Sequence, residues 1–203
     1  MNSSSMIIYR AAGELDATRL PLTWLDRDWF GAPLDPGVGF AFGLDDLFFH
    51  FVACRTKPAR CLPSSGPGRF QAELWTYDVA EFFLGGADGY LEFNLAPNGA
   101  WWSCSFGAPL ERLHEADQPL PGVLTEGHDE GAGWRVSARI PRESVGAYPL
   151  DHTGRLNATF ILDTPDQRFV TAGPPATGEP DFHRPDAFPP VALKPLPADP
   201  AAS

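Results

Sequence analysis

The stretch "GYLEFNLAPNGAWWSCSF", residues 89 to 106, decides the fold class. Asn98-Gly99 suits the two positive-φ positions of a type I′ turn between two alternating runs, which is the signature of a β-hairpin. With a two-residue loop, Leu95 is expected opposite Trp102, Asn94 opposite Ser103, Phe93 opposite Cys104, Glu92 opposite Ser105 and Leu91 opposite Phe106. One face then carries Leu91, Phe93, Leu95, Trp102, Cys104 and Phe106, which is a core. The other carries Tyr90, Glu92, Asn94, Trp101, Ser103 and Ser105. A tryptophan among these polar residues is out of place on a face that meets only water.

The flanking runs extend the sheet. In "DVAEFFL", Ala80, Phe82 and Leu84 form an inner set and Val79, Glu81 and Phe83 an outer one. In "RLNATFIL", Leu156, Ala158, Phe160 and Leu162 point inward while Asn157, Thr159 and Ile161 point away. Around "RVSARI", Trp134, Val136, Ala138 and Ile140 share a face. The loop "GGADG" leaves Glu81 opposite either Glu92 or Asn94, and both registers keep it on the outer face. Ten short runs separated by Gly, Pro and Asp clusters, with no long 3.6-period segment, predict an all-β antiparallel sandwich of jelly-roll-like type.

Composition sets the outer limits. The 203 residues, 43% hydrophobic and 20% charged, suit one globular domain with a full-sized core. A formal charge of −11 disfavours a phosphate backbone or an anionic membrane surface as partner, so no nucleic acid and no membrane are expected. The amino end lacks a basic start followed by an apolar stretch, and no run approaches the roughly 18 apolar residues of a membrane span, which makes the cytoplasm the default location. Cys54, Cys61 and Cys104 fit no zinc spacing and read as thiols; a Cys54–Cys61 disulfide would require export. Residues 56–72 and 174–190 are long Pro- and Gly-rich loops. With nine prolines between 174 and 200, the C-terminal part is expected to wrap over the sandwich in extended form. The expected organisation is an N-terminal segment 1–14, a domain 15–195 and a disordered tail 196–203.

"LWTYDVAEFFL" followed by "GYLEFNLAPNG" resembles the family 9 carbohydrate-binding modules and the related DOMON-like sandwiches. The matching positions are Trp75, Asp78, Val79, Glu81, Gly89 and Tyr90, and a second match, "PDFHRPDAFPPVAL", contributes Phe182, Pro185 and Phe188. The resemblance implies a sandwich that clamps the end of a sugar chain between two aromatic rings, here Trp75 and Phe182, with Glu81 accepting from a hydroxyl. Asn94 stands where the family has an arginine, Thr159 where it has a glutamine, and Phe182 where it has a tryptophan. Independently of that resemblance, sugars need rings for their C–H faces and paired polar groups for their hydroxyls. Trp75, Glu81, Glu92, Asn94, Trp101, Asn157 and Thr159 supply the mixture, and His183 lies beside Phe182.

Other readings stay open at this stage. Trp101 suits either a ligand contact or a rim residue covered by the loop 56–72. Glu81 and Glu92 suit either the site or solvated acids, one bonded to Arg135 or Arg139. The same two carboxylates suit a glycosidase if they lie about 5 to 9.5 Å apart, but little apolar surface beyond Trp101 and Val79 is foreseen to raise either pKa. A haem would need His50 and His183 together, since the only methionines are Met1 and Met6. His50 otherwise reads as a hydrogen-bonded strand histidine. No metal spacing is present, although Asp45 with Asp46 or Asp129 with Glu130 leaves calcium open. The expectation is therefore a non-catalytic module for a carbohydrate or polyhydroxylated ligand without a cofactor, with a protein-interaction or structural sandwich as the alternative.

Overall fold

The computed structural model describes residues 5–129 and 131–198. Among the described residues thirteen strands follow in order: β1 (Met6–Arg10), β2 (Thr23–Arg27), β3 (Pro33–Leu44), β4 (Phe48–Arg55), β5 (Val79–Gly86), β6 (Gly89–Leu95), β7 (Trp101–Ala108), β8 (Glu111–Arg112), β9 (Leu124–Asp129), β10 (Trp134–Pro141), β11 (Arg155–Leu162), β12 (Arg168–Thr171) and β13 (Val191–Pro195). One sheet runs β13-β1-β3-β4-β10-β9, with β2 also paired to β3; the other runs β12-β11-β5-β6-β7-β8. The expected all-β sandwich is the fold.

The alternation read from the strands builds the core. Ala80, Phe82 and Leu84 of β5, Leu156, Ala158, Phe160 and Leu162 of β11, and Trp134, Val136, Ala138 and Ile140 of β10 all lie between the sheets. Phe82 meets Phe42, Phe49 and Phe51 of the facing sheet edge-on at 5.3–6.0 Å and stacks on Phe93 at 5.0 Å. These offset and edge-to-face contacts are what aromatic quadrupoles favour. Three strands escape the tenfold reading: β1, β8 and β13. Residues 6–10 of the expected N-terminal segment are β1, which pairs in parallel with both β13 and β3. In the expected tail, the Leu196 N–H donates to the Arg10 carbonyl at 2.8 Å. Residues 199–203 lie outside the described residues.

The β6–β7 hairpin forms, but one residue out of the expected register. Leu95 pairs with Trp101, Asn94 with Trp102, Phe93 with Ser103, Glu92 with Cys104 and Tyr90 with Phe106. The cause is Pro97. A two-residue loop would place Pro97 opposite Ala100, where a ladder N–H is needed and proline has none. Ala96 takes that position instead: its N–H donates to Ala100 O at 2.8 Å, Gly99 N–H donates to Ala96 O at 2.8 Å, and Gly99 adopts φ 85°. The result is a three-residue loop, a type I turn closed by a left-handed glycine. A one-residue slip exchanges every side chain of β7 between faces. Trp101 therefore enters the core, stacked 5.5 Å from Phe93, and Trp102 comes out. The turn also rests on β9, because a Cβ at Gly127 would stand 2.4 Å from Asn98 C.

The loop 56–72 docks alongside β7: Trp101 N–H donates to Arg69 O at 3.0 Å and Gln71 N–H donates to Trp101 O at 2.9 Å. Its other anchor is Asp78, buried, which accepts from Arg60 N–H at 3.2 Å and Thr164 N–H at 2.8 Å. Asp78 thus holds two loops in place. Arg55, also buried, reaches from β4 to Asp163 after β11 through two hydrogen bonds of 2.8 and 3.2 Å. Paired guanidinium and carboxylate geometry of this kind fixes orientation as well as charge.

Candidate functional site

The outer face of the second sheet is ordered in rows by its register. Thr159, Glu81, Asn94 and Trp102 align across β11, β5, β6 and β7. The next row is Asn157, Phe83, Glu92 and Cys104, and β6, β7 and β8 align Tyr90, Phe106 and Arg112. Of the two registers left open for Glu81, the one opposite Asn94 is found.

Two segments rise over this face. A 3-10 turn, Leu74–Thr76, presents Trp75, whose ring meets Trp102 at 5.0 Å and 61°. Residues 180–183 bring Phe182 onto Trp29, Phe169 and Phe83 at 5.8 to 6.5 Å. Between them lies a cleft of about 570 Å³, within the size range of small-molecule sites. Trp75, Trp102, Phe106, Ile161, Phe169 and Phe182 give it apolar walls, while Glu81, Glu92, Arg112, Asp181 and His183 contribute the polar groups.

Its floor is acidic and nearly dry. Glu81 and Glu92 are 2% and 6% exposed. Thr159 Oγ1 donates to Glu81 Oε2 at 2.8 Å, and Asn94 Nδ2 donates to Glu92 Oε1 at 3.0 Å. Burial, reinforced by the Glu92 charge, pushes the Glu81 carboxyl well above the usual carboxylate range. Burial does the same to Glu92, opposed by the Asn94 hydrogen bond and the Arg112 charge. Enough apolar surface is present to shift both acids, contrary to the sequence expectation. Arg135 and Arg139 cannot serve them, since both belong to β10 in the other sheet.

His183 closes one side. Tyr90 Oη accepts the Leu110 N–H at 3.2 Å and lies 2.7 Å from His183 Nδ1. The hydroxyl hydrogen is then free to go to Nδ1, which leaves the imidazole proton on Nε2, facing Glu92 Oε2 at 3.7 Å. Burial lowers the His183 pKa, so the neutral ring is favoured. Leu110, at φ 63° and 69% exposed, sits in a left-handed turn that this bond holds at the cleft rim.

Of the nine expected site residues, Trp75, Glu81, Glu92, Phe182 and His183 line the cleft. Asn94 and Thr159 lie wholly buried and reach it through the carboxyls. Asn157 turns away to Thr171 Oγ1 at 3.1 Å and Gly173 N at 2.8 Å. Trp101 is core, because of Pro97. Residues not foreseen at the site include Trp102 and Phe106, whose signal was that proline, Ile161, Phe169 and Asp181, and Arg112, which lies on a two-residue strand without a readable pattern. The Arg112 guanidinium stands 5.3 Å from the Trp102 ring and pairs with Asp117 at 2.9 Å.

The other candidates separate from this cleft. His50 is on β4, in the other sheet from the strands beneath His183, so the two cannot share a haem iron. His50 Nε2 is 2.8 Å from Asp45 Oδ2, and Asp45 also accepts the N–H groups of Leu15, Leu47 and Phe48. Glu130, paired with Asp129 in the second calcium expectation, lies outside the described residues. Among the described residues no group of three His, Cys, Asp or Glu is placed to hold a metal, and Cys54 and Cys104 are free thiols.

Comparison of the whole chain with solved structures identifies the architecture. A candidate carbohydrate-binding protein from Bacteroides uniformis superposes with a TM-score of 0.71 at 18% identity, covering 95% of this chain and 100% of that one. A family 9 carbohydrate-binding module from Caldicellulosiruptor kristjanssonii, in complex with glucose, gives 0.62 at 15% identity over 96% and 97% of the two chains. The fold is that of the family 9 carbohydrate-binding modules. No family model matches the sequence. Over 143 residues, 66% of this chain and 70% of the other, it is 29% identical to the UPF0462 protein C4orf33 homolog of Mus musculus.

Proposed function

We propose that this chain is a non-catalytic binding module that holds a carbohydrate, or a similar polyhydroxylated ligand, in the cleft over β5, β6 and β7. One observation carries the reading: half-buried aromatic rings, Trp75 and Phe182, share a cleft with Glu81, Glu92 and His183. Stacking on the rings takes the C–H faces of a sugar, and the polar floor takes its hydroxyls. In this reading Asn94 and Thr159 orient the carboxyls, and Arg112 is the long donor at the rim. The structural neighbour in complex with glucose agrees with that ligand class.

In this reading Glu81 and Glu92 bind the ligand and do not act on its bonds. Calorimetric titration with glucose and short cello-oligosaccharides tests the proposal. Saturable binding that is lost in Trp75→Ala supports it. Failure of every sugar to bind, or release of reducing ends from an oligosaccharide, overturns it.

A further inference from the structure

The floor of the cleft has more acceptors than donors. Glu81 and Glu92 bring four carboxylate oxygens, and each residue receives one neutral donor, Thr159 Oγ1 or Asn94 Nδ2. Asn94 Oδ1, beside them, is wholly buried and has no partner. Among the described residues no lysine or arginine reaches either carboxyl within ion-pair distance: Arg112 is paired with Asp117, and His183, whose neutral ring burial favours, is 3.7 Å from Glu92. The charged groups around the pair are Arg112 on β8, with Asp117 beyond it, and Asp181 and His183 from the overlying segment. Cys104 on β7 and Tyr90 on β6 are the other titratable neighbours, both with pKa raised chiefly by burial. Buried carboxyls without a counter-charge are costly, and a ligand that supplies both the charge and the missing donors removes that cost.

We infer that the ligand carries a protonated primary amine on its polyhydroxylated ring, an amino sugar whose ammonium is seated between Glu81 and Glu92. This rests on the carbohydrate reading above and specifies its ligand. An ammonium offers three N–H donors and no acceptor, which complements a floor with surplus acceptors. A hydroxyl brings acceptor lone pairs along with its single donor and offers no positive charge to draw a carboxyl into its ionised form. When the ammonium enters, a carboxyl that held a proton gives it up to solvent and becomes its charged partner. Amino-sugar binding therefore releases protons, and neutral-sugar binding does not.

The test is titration of the whole chain near neutral pH with glucosamine, glucose and N-acetylglucosamine, in two buffers of different ionisation enthalpy. Glucosamine is expected to bind about tenfold to a hundredfold more tightly than glucose, the span expected of one or two charge-assisted hydrogen bonds. It should show buffer-dependent heat from proton release, and N-acetylation should abolish the advantage. Glu81→Gln and Glu92→Gln, nearly isosteric, are expected to reduce the ratio to within about threefold, with folding verified by thermal unfolding. Glucose binding as tightly as glucosamine, or an advantage that survives both substitutions, overturns this inference and leaves the carbohydrate reading standing. If none of the three sugars nor a cello-oligosaccharide binds, the carbohydrate reading itself falls and takes this inference with it.

Discussion

The two faces of the β5–β6–β7 sheet are built from the same three strands and are almost equally buried, yet they differ in kind. On the inner face Phe82, Phe93 and Leu91 belong to the hydrophobic core, with the small hydroxyls of Ser103 and Ser105 opposite Phe93 and Leu91. On the outer face Glu81, Glu92 and Asn94 are no more exposed than an ordinary core residue, and they sit under rings rather than among them. Burial alone therefore does not separate core from site. What separates them is ionisable groups: the polar atoms buried on the inner face, Trp101 Nε1 and Ser103 Oγ, are neutral, and the outer face holds acids that burial has made reluctant to ionise.

The sharpest way to break the comparison is to exchange the consequences of two aromatic truncations. Phe93→Ala, in the inner face, should cost roughly 3 to 5 kcal/mol of stability in urea unfolding while the folded fraction keeps its ligand affinity. Trp75→Ala, above the outer face, should cost only about 1 to 2 kcal/mol of stability and about 2 kcal/mol or more of binding in calorimetry. If the two results are reversed, Trp75 is core and the cleft is not the site.

A pH series sharpens the comparison further. Because the native Glu81 and Glu92 hold protons that the unfolded chain has already lost, stability of the free protein should fall as pH rises from the ordinary glutamate value of 4.5 toward their raised values. The slope is bounded at about 1.4 kcal/mol per pH unit for each group. Glu81→Gln should flatten it and make the variant the more stable form at the alkaline end, as measured by urea midpoints across pH. The smallest effect is expected from Arg112→Ala. Its exposed pair with Asp117 is worth roughly 0 to 1 kcal/mol, so stability should hardly change while sugar affinity falls modestly.

Which parts of this could be read from the chain follows from range. The inward and outward sets of β5, β10 and β11 came directly from period-two alternation, a local property. β1 and β13 did not, because each is five residues long and they pair with each other across more than 180 residues of chain. The hairpin was legible but its register was misread: the Asn-Gly pair outweighed the proline before it, although Pro97 carries the deciding fact, a missing N–H. Glu81 and Glu92 were assigned to the right face, yet their burial was invisible because part of their cover comes from residues 180–183, which are remote from them in sequence. Arg112 reaches the site by a turn whose left-handed Leu110 no residue pattern announces.

The one-residue shift at Pro97 also decides how the molecule can be observed. It sends two consecutive indoles to opposite sides of a sheet: Trp102 to within 5.0 Å of Trp75 at the cleft, and Trp101 onto Phe93 in the interior. Indoles that close exchange excitation, so the Trp75–Trp102 pair should give a coupled band in circular dichroism. A molecule stacking on Trp75 would disturb that band, while Trp101, one residue away, continues to report only on whether the chain is folded. Occupancy and integrity are thus written in the same spectrum by neighbouring residues.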